Sequence, residues 1–353
     1  MKKKIIMILV AIFVFIPFIN VKALELTQEM FDSVMNAGEN TKIGNITHTY
    51  DGSFVLDPDD YILGEDITVH NITFNGGEST LNLNNKTLSS IIITEGAKLT
   101  IEGDGVAQDL GVFSGDFDGN IPSEVIIKGG TFANIDVTYS KLIIENVTIE
   151  GEYHGIAIGS GSDVEINGGV FNVGPEGKAF EVGTHYSENA KVVVRGGTFS
   201  GGEYGLYATL ESYNQLSLLG GTYQGSIAAI NVKSLEATND EILKTSINDL
   251  LSEGYTYSPQ MTFTTEYNAG QWMAKSNQKE LSVVPISNDN KTDTETASAE
   301  QSIDQTNPSV NTNSNTTSNP QTIDNIVFYI SMFGLSIIGL AGVGIYLKKK
   351  KSN

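Results

Sequence analysis

The chain contains no cysteine. That excludes a disulfide framework and any thiolate metal site; a chain of this size can do without disulfides if it buries a large core. Arginine is almost as scarce, with Arg195 the only one. Against 42 acidic side chains there are 21 basic ones, a formal net charge of −21. No basic patch is available to neutralise phosphates, so nucleic acid is excluded as a partner. Anionic partners in general are disfavoured unless a cation mediates. The four histidines, His48, His70, His154 and His185, show no H-x-x-x-H or H-E-x-x-H spacing, which argues against zinc.

Charge of the missing sign is concentrated at the two ends. MKKKIIMILVAIFVFIPFINVKA has a lysine-rich start, an apolar stretch and small closing residues. It reads as a secretory signal over 1–23, cut after Ala23, with an uncleaved anchor as the alternative. Near the other end, Ile326 to Leu347 is an uncharged apolar run of 22 residues, long enough as a helix to cross a bilayer core of about 30 Å. Lys348 to Lys351 follow as a cytoplasmic stop. Removing both ends takes away eight lysines and Asp324, leaving 21 − 8 = 13 basic and 42 − 1 = 41 acidic side chains, a net charge of −28.

Immediately before the apolar run stand Asn319, Pro320, Gln321 and Thr322. With the run and the basic tail, this motif resembles the N-P-x-T class of sortase sorting signals in Gram-positive surface proteins. The resemblance implies that a sortase cuts after Thr322 and joins the chain to peptidoglycan. Ile323 stands where that class often has glycine, and a simple transmembrane anchor over 326–347 is the alternative.

Between the ends one phrase keeps returning: VIIKGGTF from Val125, VEINGGVF from Val164, VVVRGGTF from Val192 and LSLLGGTY from Leu216. With the residue before the glycine pair as a pivot (Lys128, Asn167, Arg195, Leu219), apolar residues fall three and one positions before it. A Phe or Tyr falls four positions after it. The same template finds Glu145 in KLIIENVTIE, Asn84 in TLNLNNKTL, Glu102 in LTIEGDGV and His70 in DITVHNITF. Eight pivots at 70, 84, 102, 128, 145, 167, 195 and 219 have a mean spacing of 149/7, about 21 residues.

Each apolar pair marks a short strand with one buried face, and the glycines give freedom for a sharp bend. Second strands are expected at 91–94, 135–137, 155–158, 205–208 and 227–232. A coil of this length cannot bury its own apolar face, so coils must stack at about 4.8 Å, seven spacings making roughly 34 Å. Val125, Leu142, Val164, Val192 and Leu216 should then form one column. The expectation is an all-β chain, a single-stranded right-handed parallel β-helix of about eight coils with short capping helices, besides the signal peptide and the transmembrane anchor. This pattern resembles the pectate-lyase-like superfamily and, more narrowly, β-helix surface proteins of Gram-positive bacteria.

The domain reading is an N-terminal cap at 24–49, the β-helix at 50–235, a C-terminal cap helix and strands at 236–286, and a disordered linker at 287–318. The sorting signal fills 319–353. Thr27 is a candidate N-cap for a helix closed by Gly38, with Met30, Phe31, Val34 and Met35 on one side. Thr238 and Glu241 form a capping box for a second helix with a stripe of Leu243, Ile247, Leu250 and Leu251, ended by Gly254.

The resemblance raises lyase or hydrolase chemistry, for which the chain offers little. Arg195 occupies a turn position, no Gly-His or R-x-K element is present, and Asp59-Asp60 precedes the regular coils. Two loops attract attention because sites tend to sit on excursions from a rigid scaffold. GDGVAQDLGVFSGDFDGNIP carries Asp104, Asp109, Asp116 and Asp118, of which Asp104, Asp116 and Asp118 are candidate calcium ligands; solvated turns are the alternative. PEGKAFEVGTHYSEN carries His185 and Tyr186, and neighbouring coils add Tyr153, His154, Tyr204, Tyr207 and Tyr213. Tyr153, His154, Tyr204 and Tyr207 are the candidate ligand-binding residues, as rings with polar tips that stack on sugars, with plain ladder packing as the alternative. No cofactor other than calcium is expected. The leading expectation is an anchored surface protein that binds or adheres to a glycan, followed by a carbohydrate-active enzyme and then by a structural stalk.

Overall fold

The computed structural model describes residues 22–116, 119–183, 189–209, 215–234, 249–268 and 270–286, with isolated positions at 237, 239, 243 and 247. These residues form a right-handed parallel β-solenoid of about seven turns. The signal segment to residue 21, Asp118, His185, Tyr186, Tyr213, Thr238, Glu241, the linker, the sorting motif Asn319 to Thr322 and the apolar run lie outside the described residues. Among the described residues no helix is long and apolar enough to cross a membrane.

One nine-stranded sheet joins the cap strand Leu24–Leu26 to the first strands of the coils, from Asp60–Leu63 to Gln215–Leu218. The expected column is present: Leu99 pairs with Val125, Val125 with Leu142, and so on through Val164 and Val192 to Leu216. One pleat further, Ile101, Ile127, Ile144, Ile166, Val194 and Leu218 make a second inward column. Both columns are buried because a period-two strand sends alternate side chains inward.

The glycine pair that follows does two separate jobs. Its second member sits in the left-handed region, at φ 100°, 121°, 112° and 98° for Gly130, Gly169, Gly197 and Gly221. Its first member passes against the coil beneath, so that a Cβ on Gly196 or Gly220 would lie 2.8 or 2.1 Å from a carbonyl oxygen there. After the bend the aromatic returns to the core, where Phe171, Phe199 and Tyr223 stack at ring separations of 4.6 and 5.1 Å.

The second strands form the other sheet, and the five expected segments all lie in it. Inward residues pile up here as Ile72, Ile91, Leu110, Ile135, Ile156, Phe180, Leu206 and Ile230. Phe74, Ile93, Val112, Val137, Ile158, Val182, Ala208 and Val232 run beside them.

Several sequence expectations are corrected. The pivot at His70 fails, because Ile67–Asn75 belongs to the second sheet, where Ile67 pairs with Leu88. Its place in the first sheet is taken by Asp60–Leu63, with Tyr61 and Leu63 buried, so Asp60 opens a regular coil rather than preceding one. The pivot at Asn84 is displaced by two residues, since Leu81 pairs with Ile101 and Ser79 with Leu99. The turn to the second strand is simply longer there, and it is one residue longer in Gly103-Asp104-Gly105. Ala107, not Val106, is therefore the inward residue paired with Phe132, and Val106 is left exposed. Both supposed long loops contain a strand, Val106–Phe113 in the first and Lys178–Val182 in the second. The inward residues of the first, Ala107, Leu110 and Val112, follow a bend that simple alternation conceals.

Antiparallel strands close the ends of the second sheet. Thr41–Ile43 pairs with Ile46–His48 at one end, and Gln271–Ser276 and Glu280–Pro285 cover Ala228–Ser234 and Thr222–Gly225 at the other. Such cover blocks pairing with foreign strands. The helix Gln28–Ala37 buries Phe31 and Val34 and ends at Gly38 as expected. Thr27 stands at its N-cap without a side-chain cap; instead Glu65 accepts from the Gln28 N–H at 2.7 Å. Of the second predicted helix, Leu243, Ile247 and Leu250 are buried in the core.

Outside the first sheet, Glu78, Lys98, Glu124, Lys141, Asp163 and Lys191 are register neighbours that alternate in sign from rung to rung. Lys141 lies 2.9 Å and Lys98 3.7 Å from the Glu124 carboxylate.

Candidate functional site on the second sheet

The outer face of the second sheet gathers the side chains that the first sheet lacks. In its register His154 pairs with Lys178 and Lys178 with Tyr204. One column along, Asp136, Ala157, Glu181, Tyr207 and Asn231 occupy successive rungs, and Asn231 meets Lys275 of the closing strand. Three of the four predicted ligand-binding residues are thus brought together: His154, Tyr204 and Tyr207. Tyr153 stands next to them in sequence, between Thr148–Gly151 and His154–Ile158, and is 64% exposed.

The Tyr207 ring is not an open platform. Lys178 Nζ sits 4.2 Å and Lys233 Nζ 5.4 Å from its centroid, and Tyr204 packs beside it at 5.6 Å. Burial, followed by the nearby Glu181 carboxylate, raises the Tyr207 phenol pKa, so its hydroxyl stays protonated as a donor. Lys178 also binds Glu181 at 2.9 Å. His154 Nε2 lies 3.3 Å from Asp136 Oδ1. Nε2 makes no aligned hydrogen bond there, the contact becomes an ion pair when the imidazole is protonated, and Asp136 raises the imidazole pKa while partial burial and Lys178 oppose it. Beneath this surface Asn231 is 1% exposed, and its Oδ1 has no hydrogen-bond partner. A buried acceptor left open is costly.

The reading of the sequence missed Asp136, Lys178, Glu181, Asn231 and Lys233. The signal for three of them was present: in IDV, FEV and INV the middle residue occupies the same outward place as Tyr207 in LYA. In coils nearer the N-terminus the equivalent face closes on itself, with Asp109 held by Ser90 at 3.0 Å and Asn134 at 2.6 Å.

The calcium candidates are placed apart. Asp104 sits in the turn before Val106–Phe113 and Asp116 beyond its end, a strand that spans on the order of 23 Å at about 3.3 Å per residue. Asp116 accepts from Ser114 Oγ at 2.8 Å, Asn120 N at 2.8 Å and Asn120 Nδ2 at 3.0 Å. These donors, Ser114 first, hold its pKa below the usual value. Among the described residues no group of three metal-type side chains comes together. Arg195 pairs with Glu165 at 2.9 Å across adjacent coils, which is a turn role. The carboxylates with resolved shifts, Asp51, Asp116, Glu124 and Glu165, are all stabilised as anions by donors around them. Such groups accept hydrogen bonds well and give up no proton near neutral pH. No protein-family model, no curated protein and no solved structure matches the chain.

Proposed function

We propose that this chain is an exported surface protein that binds a glycan along the outer face of its second sheet. The observation that carries the reading is the row of His154, Lys178 and Tyr204 beside Glu181, Tyr207 and Asn231, held on a rigid sheet at one-rung intervals. Donors and acceptors of both kinds alternate there on the half-buried His154, Lys178, Glu181 and Tyr207. A polymer lying along the stack would meet new polar groups at every rung of about 4.8 Å. The lysine-rich start and the apolar run with its basic tail support export and anchoring. Asn319 to Thr322 make a sortase and peptidoglycan the proposed partners for that anchoring, with the pectate-lyase-like resemblance as the wider frame.

The test uses the full chain in mild detergent against a panel of immobilised polysaccharides. Retention on at least one glycan, lost in a Tyr153→Ala/Tyr204→Ala/Tyr207→Ala variant that still folds, is the expected result. New chain ends in the same wells would replace the binding module with an enzyme. Retention that the triple variant keeps would move the site elsewhere.

A further inference from the structure

A second feature lies on the same sheet, towards the N-terminal coils. Phe113 ends the strand Val106–Phe113 and is the register neighbour of Thr138. Between Phe113 and Tyr139 opens a cavity of about 330 Å3, lined also by Ser114, Gly115, Asp116 and Thr138. Both rings are seated on glycines. A Cβ on Gly111 would lie 2.4 Å from the Phe113 ring, and one on Gly161 or Gly119 would lie 2.3 or 2.9 Å from Tyr139. Glycine is therefore what lets each ring lie against the backbone instead of standing away from it.

Tyr139 itself has φ +50°, in the left-handed region that a bulky side chain avoids. Elsewhere the chain fills such positions mostly with glycine or asparagine, as at Asn40, Asn84, Asn85 and Asn189. Keeping a tyrosine there, fixed by its N–H donating to Ser160 O at 2.6 Å, holds a ring in place against a backbone preference. Strain of this kind concentrates at ligand sites.

We infer that this cavity is a subsite for one neutral pyranose ring. Its two aromatic walls match the apolar face of such a ring, and its volume is in the range of small-ligand pockets, about 300 Å3 upward. The rim supplies the hydroxyl chemistry: Thr138 and the Tyr139 phenol make no side-chain hydrogen bond among the described residues. Asp116 spends its acceptor positions on Ser114, Asn120 and the Ile121 N–H. A carboxylate so occupied serves a metal ion poorly, and the Thr138 and Tyr139 hydroxyls are left to meet the sugar. The carboxylate, on a chain with 42 acidic residues, also repels a uronate. The inference rests on the glycan class proposed above, and it does not use the Tyr204 and Tyr207 face.

Saturation-transfer NMR on the full chain in detergent tests it, with methyl glucopyranoside and methyl galactopyranoside as probes and the matching uronates as controls. At least one neutral ring should show saturable transfer to its apolar face, and the uronates none. Phe113→Ala should weaken the binding about tenfold, the scale of one aromatic contact. Tyr139→Asn should abolish it while keeping the fold, because asparagine accepts the left-handed backbone. Thr138→Val, nearly isosteric, should weaken it without touching either ring. Equal transfer to uronates, no saturable transfer to either neutral probe, or full binding in Tyr139→Asn would each overturn the subsite. A Tyr207→Ala chain that loses polysaccharide retention but keeps the monosaccharide signal separates this site from the lateral face. Retention without any monosaccharide signal overturns the subsite and leaves the lateral face standing.

Discussion

Coils up to Thr138 and coils from Lys141 onward share their core columns and differ in one arc. Leu88 to Ile91, Ala107 to Leu110 and Phe132 to Ile135 each take three steps from one inward side chain to the next. Ile149 to Ile156, Phe199 to Leu206 and Tyr223 to Ile230 take seven, and Phe171 to Phe180 takes nine. The added residues make a ridge that carries Tyr153, and they open a further outward column of His154, Lys178 and Tyr204. In the narrow half the outward polar groups, Ser90, Asp109 and Asn134, satisfy one another. A constant core thus tolerates a variable arc, and the chemistry of the surface follows arc length. This is the advantage of a fold in which each repeat contacts only its neighbours.

The widest gap between the halves should be in ring packing. The column that holds Ile149, Phe171, Phe199 and Tyr223 in the wide half holds Leu88, Ala107 and Phe132 in the narrow half, so successive rings stack only in the wide half. Phe199→Ala removes the middle ring of the stack and should cost about 3–5 kcal/mol, read from urea unfolding followed by circular dichroism. A cost below about 1 kcal/mol would mean that the rings fill space without stabilising the wide coils.

Shortening the arc attacks the comparison directly. Deleting residues 150–153 leaves three steps from Ile149 to Ile156, the spacing of the narrow coils. The solenoid should persist, with slow hydrogen exchange at Ile156 and Ile158, while polysaccharide retention falls at least about tenfold, or 1.4 kcal/mol. Global loss of protection would show that arc length is bound to the core after all.

How much of this was legible in the sequence follows from the same physics. The first-strand columns were readable from Leu99 to Leu216 because burial enforces period two and the glycine pair marks the phase. Misplacement at His70 and Asn84 arose where the turn had no glycine pair to set that phase. A further phase marker went unused: Ala97, Ser123, Ser140, Ser162 and Ala190, five residues before their pivots, are all small and buried. At the site, tyrosines and a histidine drew attention by their chemistry, whereas Lys178, Glu181 and Asn231 became visible only once register aligned them. At the site, pairing between coils joins residues 21 to 26 positions apart, and a linear reading does not contain it.

The His154–Asp136 pair exists only because the wide arc brings a strand start beside the preceding coil. Its folded pKa is raised above the ordinary 6.5, chiefly by Asp136. The stabilisation is therefore fully present below 6.5 and is lost as pH rises through the folded pKa. Asp136→Asn should bring the His154 titration back down, followed by NMR of its imidazole protons, with Glu181 still raising it and Lys178 lowering it. An unchanged titration would mean that Glu181, and not Asp136, governs the imidazole.

The smallest effect belongs to the opposite face. Glu124→Gln breaks the alternating ladder at its best-paired rung, losing contacts to Lys141 and Lys98. Because these groups are largely solvated, the cost should be about 0.2–1 kcal/mol and should shrink in high salt. The ladder then contributes less to stability than to pairing order: a coil slipped by one rung would place like charges opposite each other. Comparing refolding yield with equilibrium stability in Glu124→Lys separates these roles. That variant sets a third positive charge on the rung between Lys98 and Lys141. If it unfolds at nearly the wild-type urea concentration yet refolds to mixed species, the first sheet uses charge to choose register. A proportional loss of stability with clean refolding would instead make the ladder ordinary surface pairing.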